Sequence, residues 1–163
     1  MKLLNDKFNV DDFTYSRTAT AKKIPNIPTA EHIENLKKLF ALLKEIQARL
    51  STKYGKPIQI RINSGYRSKE LNAVIPGASL TSQHCLGQAA DTFAIGVSHN
   101  EYYQFIKSLV KAEVITVGQC IQEFGRNPDS EDDDWVHIST TTNKHKNVFM
   151  IKEPGKPYRR DLS

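Results

Sequence analysis

Two short segments of the chain bring histidine and aspartate together at spacings that suit a metal ion. The segment SQHCLGQAAD contains His84 and Asp91, and DDDWVHIS contains His137 with Asp134 three residues before it. A hydrolytic zinc ion usually takes three histidine or carboxylate ligands and leaves a fourth position for water. A glycine between His84 and Asp91 lets the chain turn, so both side chains can reach one ion. We therefore predict a zinc site to which His137 supplies the third ligand.

Each of these signals has an ordinary alternative. A histidine among apolar residues is more often a core residue with one hydrogen-bonding partner, and Asp134 alone would be a solvated loop charge. The acidic run 131–134 lacks the D-x-[DN]-x-[DN]-G pattern of a calcium loop. Cys85 adjoins His84, which could suggest a cysteine peptidase. We do not expect one, because His84 is better used as a metal ligand and no acidic residue that would orient the histidine is apparent. No H-E-x-x-H, G-x-S-x-G or P-loop sequence occurs, which excludes the enzymes built on those motifs.

The elements around these segments predict an α+β fold. Apolar residues recur at three- and four-residue steps within 29–55, which indicates one long amphipathic helix. A strand follows at 58–62, a short helix at 68–75, and a further helix begins at the capping box that Ser98 opens. AADTFAI, VITVGQCI and WVHIS have the composition of strands. Because helices and strands come in irregular order, we expect an antiparallel sheet.

Length and composition indicate one ordinary globular domain. A chain of 163 residues with 39% hydrophobic and 25% charged residues can bury one core. We therefore expect a single domain over 1–163, with 1–28 as a segment that wraps its surface and 152–163 as a tail. No apolar run approaches the roughly 18 residues of a membrane span. The two cysteines form no C-x-x-C, which excludes a disulfide scaffold and a four-cysteine zinc ribbon.

Together these strings resemble a known family. SGYRS, SQHCLGQAAD and DWVH are similar to the three signature blocks of the zinc D-alanyl-D-alanine carboxypeptidases. That family also includes phage endolysins that cut L-Ala-D-Glu bonds and the vancomycin-resistance D,D-dipeptidases, and the Hedgehog signalling domain shares the fold. The pattern S-x-H-x-x-G-x-A-x-D is met at each fixed position, by Ser82, His84, Gly87, Ala89 and Asp91. The resemblance implies one domain with helices packed on one side of the sheet and zinc bound to that sheet.

The resemblance also implies a role for individual residues. Asp134 takes the position of the catalytic acid or base. Arg67 takes that of the arginine that binds substrate and stabilises the developing oxyanion, and Ser82 is expected to bind substrate or to orient His84. The zinc ligands that it implies are His84, Asp91 and His137.

The position of Asp134 sets a condition on the local structure. Along a regular strand, residues three apart point to opposite faces, so Asp134 can share a site with His137 only from a loop or a bulge. A continuous strand from Asp132 to Ile138 would contradict this assignment. The histidines that match no block are expected at the surface; they are His32, His99 and His145.

The sequence thus predicts a zinc peptidase that cleaves peptidoglycan stem peptides, either as a D-Ala-D-Ala carboxypeptidase or as an endolysin-type endopeptidase. Zinc lowers the pKa of its water to about 7, and a nearby carboxylate can accept the proton and pass it to the leaving amine. The alternative is a non-catalytic module of the same fold that keeps zinc for stability and binds wall or another protein. Asp134 and Arg67 favour the enzyme, since a structural zinc has no use for them.

Charge and the amino terminus bear on partners and location. The net charge of +5 favours polyanions such as nucleic acid, anionic lipid or teichoic-acid-bearing wall. The basic residues are scattered and form no aromatic-basic stripe, so nucleic acid is not an expected partner. We expect a monomer. The amino terminus lacks the apolar region of a secretory signal, so synthesis in the cytoplasm is expected, with phage-type release or a trimmed leader giving access to the wall.

Overall fold

A mixed sheet of seven strands forms the centre of the computed structural model, which describes residues 2–125 and 134–163. The strands are β1 (Lys2–Leu3), β2 (Ile60–Ser64), β3 (Ala89–Ala94), β4 (Gln119–Phe124), β5 (Asp134–Ser139), β6 (Val148–Lys152) and β7 (Arg159–Arg160). The helices are α1 (Asp11–Thr14), α2 (Arg17–Lys22), α3 (Ala30–Tyr54), α4 (Lys69–Val74) and α5 (His99–Lys111), with a 3₁₀ turn at Gln83–Leu86. The α+β prediction is confirmed.

The strands lie in the order β1-β2-β3-β5-β4-β6-β7. All neighbouring pairs are antiparallel except β4 and β6, which run parallel, so the sheet is mixed rather than wholly antiparallel. Among the residues that the structure describes, no helix is long and apolar enough to cross a membrane.

Local signals in the sequence set the ends of the helices. The Thr29 side chain accepts the N–H of His32 at the start of α3, and Gly55, with a φ of +62°, ends that helix in the left-handed conformation. Ser98 and Glu101 form the predicted capping box at the start of α5. The apolar stripe of α3 is fully buried and consists of Leu36, Leu39, Leu43, Ile46 and Leu50.

The two faces of the sheet differ in character because strand side chains alternate. On one face, apolar residues of β2 to β5 join buried residues of α3 and α5 in a single core; they include Ile60, Ala90, Cys120, Val136 and Ile138. The opposite face is not covered by these helices and lines an open cleft, to which Asp91, Ile121 and His137 contribute. The sheet therefore separates the core from the cleft.

A β-bulge in β2 changes which of its residues reach the cleft. Ile62 pairs with Thr92 and Ser64 pairs with Asp91, so Asn63 is an extra residue with no partner of its own in β3. The bulge turns Ser64 to the cleft face, where it lines the cleft. The buried side chain of Asn63 has no hydrogen-bond partner among the residues that the structure describes.

The amino-terminal segment 1–28 is tied to the end of β2. Its Phe13 is 1% exposed and belongs to the core. The Phe13 carbonyl accepts the Tyr66 N–H at 2.7 Å. A side chain at Gly65 would collide with that carbonyl and lie 2.9 Å from the Phe13 Cα, so only glycine fits there. Asn26 donates to Tyr66 O and accepts from Ser68 N, which fixes the same stretch.

Substituting Phe13 by alanine tests whether segment 1–28 contributes to the core. We expect Phe13→Ala to lower the free energy of unfolding by about 3–5 kcal/mol, the usual cost of removing a buried aromatic ring. Tyr15, two residues away and 41% exposed, is the matched control, and Tyr15→Ala should cost far less. Urea unfolding followed by circular dichroism measures both. Equal effects of the two substitutions would contradict this assignment.

Candidate metal centre

The structure brings His84, Asp91 and His137 together at one point of the cleft. His84 lies in the 3₁₀ turn Gln83–Leu86, Asp91 lies in β3, and His137 pairs directly with Asp91 from β5. All three are buried, with exposed fractions of 2%, 5% and 8%. One ligand atom from each lies within 4.8 Å of the others. These three residues, which span 53 positions of the sequence, thus form one candidate metal site.

The distances within this group suit a small tetrahedral ion. Asp91 Oδ1 lies 3.1 Å from His137 Nδ1 and 3.3 Å from His84 Nε2. Zinc bonds of about 2.0–2.1 Å with tetrahedral angles place neighbouring ligand atoms about 3.3 Å apart. The donor set of two imidazoles and one carboxylate is also a usual one for catalytic zinc.

The hydrogen bonds of His84 indicate which nitrogen is free to bind metal. His84 Nδ1 lies 2.7 Å from the Gly65 carbonyl, which can only accept, so Nδ1 carries the proton. Burial, followed by the charge of Arg67, lowers the pKa of His84 to about 4, so the ring is neutral at pH 7. Its Nε2 then directs a lone pair at the Asp91 carboxylate. A cation between the two atoms removes that repulsion, and a ligand histidine usually donates its other N–H to a carbonyl in this way.

Arg67 contacts the second oxygen of Asp91. Its Nη2 lies 3.3 Å from Asp91 Oδ2, and its Nη1 lies 3.3 Å from Asn72 Oδ1. Burial alone would raise the pKa of Asp91, but His84, His137 and Arg67 hold it well below its usual range. Arg67 Nε has no partner among the described residues. Arg67 thus lines the cleft beside the predicted ligands, while its role toward substrate stays a prediction.

Ser82 and Gly87 shape the turn that presents His84. The Ser82 hydroxyl accepts the backbone N–H of His84 at 3.3 Å, which agrees with an orienting role. A role of Ser82 toward substrate stays a prediction. Gly87 ends the turn with a φ of +68°, and a Cβ there would lie 2.6 Å from the His32 carbonyl of α3. Glycine is therefore required at this position of the motif on two separate grounds.

Asp134 lies on the face of the sheet opposite His137, so the structure does not bring it into the site as predicted. From Asp134 to Ile138, β5 pairs residue by residue with β4 without a bulge, so Asp134 and His137 point to opposite faces. Asp134 Oδ1 accepts the N–H of Gly125, and its Oδ2 lies 3.8 Å from His99 Nδ1 at the start of α5. Its neighbours Asp132 and Asp133, and most of the predicted loop GRNPDSEDDD, lie outside the described residues.

The other histidines depart in part from the expected surface positions. The His99 side chain is 13% exposed and its Nε2 lies 2.9 Å from the Trp135 carbonyl, so it belongs to the contact between α5 and β5. His32 packs against the Tyr66 ring at 5.0 Å between centroids. His145 lines the cleft but is not part of the ligand group.

Glu123 is the carboxylate that the sequence interpretation missed. It lines the cleft from β4, where it pairs with Trp135, while Ile121 pairs with His137. Glu123 is therefore a diagonal neighbour of His137 on the same face, at about 7 Å between Cβ atoms. Burial, followed by the Asp91 charge, raises the pKa of Glu123 to about 7. A glutamate inside the apolar strand VITVGQCIQEF was the available sequence signal.

The cleft offers further polar groups to a ligand. Its volume is about 350 Å³, within the range of small-molecule and peptide sites. Trp135 Nε1 and both polar side-chain atoms of Gln83 are buried without a partner in the described part of the chain, and both residues line the cleft. Such groups are costly unless a ligand or water pairs with them.

Removal of one predicted ligand should abolish zinc binding. His84→Ala should lower zinc affinity by at least about a hundredfold, since even partners of ligands contribute 10- to 100-fold. His145→Ala, at a second histidine of the same cleft, is the control and should retain zinc. Bound zinc at a hundredfold excess over Kd should add about 2.7 kcal/mol to the unfolding free energy of the parent protein. Metal analysis and thermal unfolding with and without zinc give both readings; undiminished binding by His84→Ala would refute the site.

Comparison with known families agrees with this geometry. The family model for Peptidase M15 matches residues 6–139, which include all three predicted ligands. Searches of curated proteins and of solved structures gave no significant match. The match covers well over half of the chain and confirms the resemblance to the zinc D-alanyl-D-alanine carboxypeptidases. With the His84, Asp91 and His137 group in place to hold the ion, the chain belongs to the Peptidase M15 family of zinc-dependent metallopeptidases.

Proposed function

We propose that this chain hydrolyses a peptide bond in the stem peptides of peptidoglycan, as a D-Ala-D-Ala carboxypeptidase or as an endopeptidase. One observation carries the proposal: the ligand group, Arg67 and Glu123 all line the same cleft. Family membership supports the substrate class. The cell wall is accordingly the proposed place of action.

Glu123 is our candidate for the general base and acid. It lies on the same face of the sheet as His137 and is partly buried. A carboxylate whose pKa lies near 7 can accept a proton from the attacking water and return it to the leaving amine. A cation at the ligand group would lower that pKa and favour the ionised form, which is the form that accepts a proton.

The remaining groups supply electrostatic stabilisation. When zinc is bound, it polarises the substrate carbonyl and makes the attacking water more acidic. Arg67 is held in place by Asp91 and Asn72, and its positive charge favours the tetrahedral, negatively charged state over the planar carbonyl. Because the guanidinium is already positioned and largely buried, little reorganisation is needed during reaction.

The same arrangement favours an enzyme over a module that uses zinc only for stability. Structural zinc sites are usually closed by four protein ligands, whereas the group found among the described residues has three and faces a cleft. A structural site also has no use for a buried arginine and a partly buried glutamate beside it. These features are the ones that peptide hydrolysis requires.

Glu123 and Asp134 give a matched pair of substitutions for this mechanism. Glu123→Gln keeps the shape of the side chain but removes the base, so turnover should fall by about a hundredfold or more. Zinc content should be unchanged, because Glu123 is outside the ligand group. Asp134→Asn on the opposite face should change turnover by no more than about twofold. Loss of activity in Asp134→Asn with full activity in Glu123→Gln would reverse the assignment.

Digestion of labelled peptidoglycan tests the substrate class and identifies the bond. The zinc-loaded protein should release amino acid or peptide fragments that mass analysis can assign. Treatment with a chelator should abolish release, and added zinc should restore it, because the water and carbonyl are activated only by the ion. Zinc-loaded protein that binds wall but releases nothing would support the non-catalytic module instead.

A further inference from the structure

The carboxyl-terminal segment 140–163 forms one wall of the cleft, although it lies outside the family-matched residues 6–139. Met150 of β6 and Tyr158, just before β7, both line the cleft. This wall is therefore a feature of this chain that the family match does not describe.

Strand pairing determines which basic residues of the segment face the cleft. Met150 pairs with Ile121 on one side and with Arg160 on the other, and paired residues point to the same face. Arg160 therefore lies on the cleft face. Arg159 pairs with Ile151 and lies on the opposite face. Lys152 pairs with Glu123 and so also lies on the cleft side.

Tyr158 lines the cleft directly, whereas Lys152 and Arg160 lie on the same side of the sheet without lining it. Its ring is 48% exposed, and Lys152 Nζ lies 5.3 Å from the ring centroid. Burial, followed by the charges of Glu123 and Asp91, raises the pKa of Tyr158 to about 12. The hydroxyl therefore keeps its proton and can donate a hydrogen bond. Lys152 Nζ also donates to the Lys156 carbonyl, which holds the ammonium near the ring.

The wall is anchored to the body of the protein. Asp161 accepts the Tyr103 hydroxyl at 2.9 Å and pairs with Lys107 at 2.9 Å, both from α5. The Asp161 N–H also donates to the Phe149 carbonyl of β6. These contacts fix the chain immediately after β7, so Tyr158 and Arg160 are held at defined positions beside the cleft.

Most of the net charge of the chain belongs to this wall. Segment 140–163 contains six basic and two acidic residues, a net charge of +4 out of +5 for the whole chain. Arg160 makes no ion pair with any described residue, and Lys152 bonds only to backbone carbonyls. The charge of Arg160 is therefore available to a ligand, whereas the charge of Lys152 also acts on Glu123.

We propose that this wall is a subsite for a carboxylate of the substrate peptide, which Tyr158 binds through its hydroxyl while Lys152 and Arg160 provide positive charge. The inference rests on the proposed function, which makes a peptidoglycan stem peptide the substrate. Such a peptide has a carboxylate on its D-glutamate and another at its carboxyl terminus. Either group has the chemistry that the wall recognises, and the experiment distinguishes them.

Arg160 and Arg159 provide a matched test, since they are adjacent, equally charged and on opposite faces. The substrate is a synthetic L-Ala-D-Glu-L-Lys-D-Ala-D-Ala peptide with both carboxylates free, with the D-glutamate carboxylate amidated, or with the terminal carboxylate amidated. The zinc-loaded protein should prefer a free carboxylate at one of the two positions. Arg160→Gln should reduce that preference in kcat/KM by about two- to fivefold, the range for an exposed ion pair, and Arg159→Gln should preserve it.

Tyr158→Phe gives a second reading. It should raise KM for the preferred peptide by about three- to tenfold with little change in kcat, because only a binding hydrogen bond is lost. Thermal unfolding of each variant monitors the fold. Equal effects of Arg160→Gln and Arg159→Gln on all three peptides would overturn the subsite alone. No cleavage of any peptide by the zinc-loaded parent protein would instead contradict the proposed function, and the subsite with it.

Discussion

The buried carboxylate of Asp91 is the group around which the site is organised. A charge with an exposed fraction of only 5% would be costly without compensation, which Arg67 provides at one oxygen and a cation shared with the two histidines would provide at the other. Oδ1 faces His84 and His137, and Oδ2 faces Arg67. Each partner comes from a different element, so the turn before β3, the strand β5 and the residues after the β2 bulge must all be in place for Asp91 to be tolerated.

The alternation of side chains in the sheet decides which residues can join this site. One face is covered by α3 and α5 and accepts apolar side chains, and the other lines the cleft. Asp134 and Glu123 lie near each other on adjacent strands, yet they lie on opposite faces. A spacing of three residues before a ligand histidine is therefore not sufficient evidence for a catalytic carboxylate when the histidine lies in a regular strand.

The sequence predicted those parts whose signals are local. Thr29, Gly55, Ser98 and Glu101 determine helix ends by their own hydrogen bonds and backbone angles, and the structure confirms each of them. The spacing from His84 to Asp91 is likewise local, because one turn and one strand connect them.

Features that depend on pairing between distant segments were not predicted. The two-residue strands β1 and β7 are too short to have a pattern of their own and depend on the hydrogen bonds that a neighbouring strand offers, whereas β6 has the strand-like sequence VFMIK and was not predicted. The position of Glu123 on the cleft face follows from the register of β4 against β5, which the sequence does not state. The bulge at Asn63 likewise depends on the pairing of β2 with β3. The burial of Phe13 depends on its packing against core residues that are distant in sequence.

Gly65 connects the amino-terminal segment directly to a predicted metal ligand. Its Cα lies against the backbone of Phe13, and its carbonyl accepts a hydrogen bond from His84 Nδ1–H. Because the proton is on Nδ1, Nε2 is free to bind metal. Ordering of the first residues and capture of the ion are therefore linked equilibria, and linkage is reciprocal. The factor by which an ordered amino terminus raises zinc affinity therefore equals the factor by which bound zinc favours the ordered amino terminus. Zinc would thus stabilise a part of the chain that it does not contact.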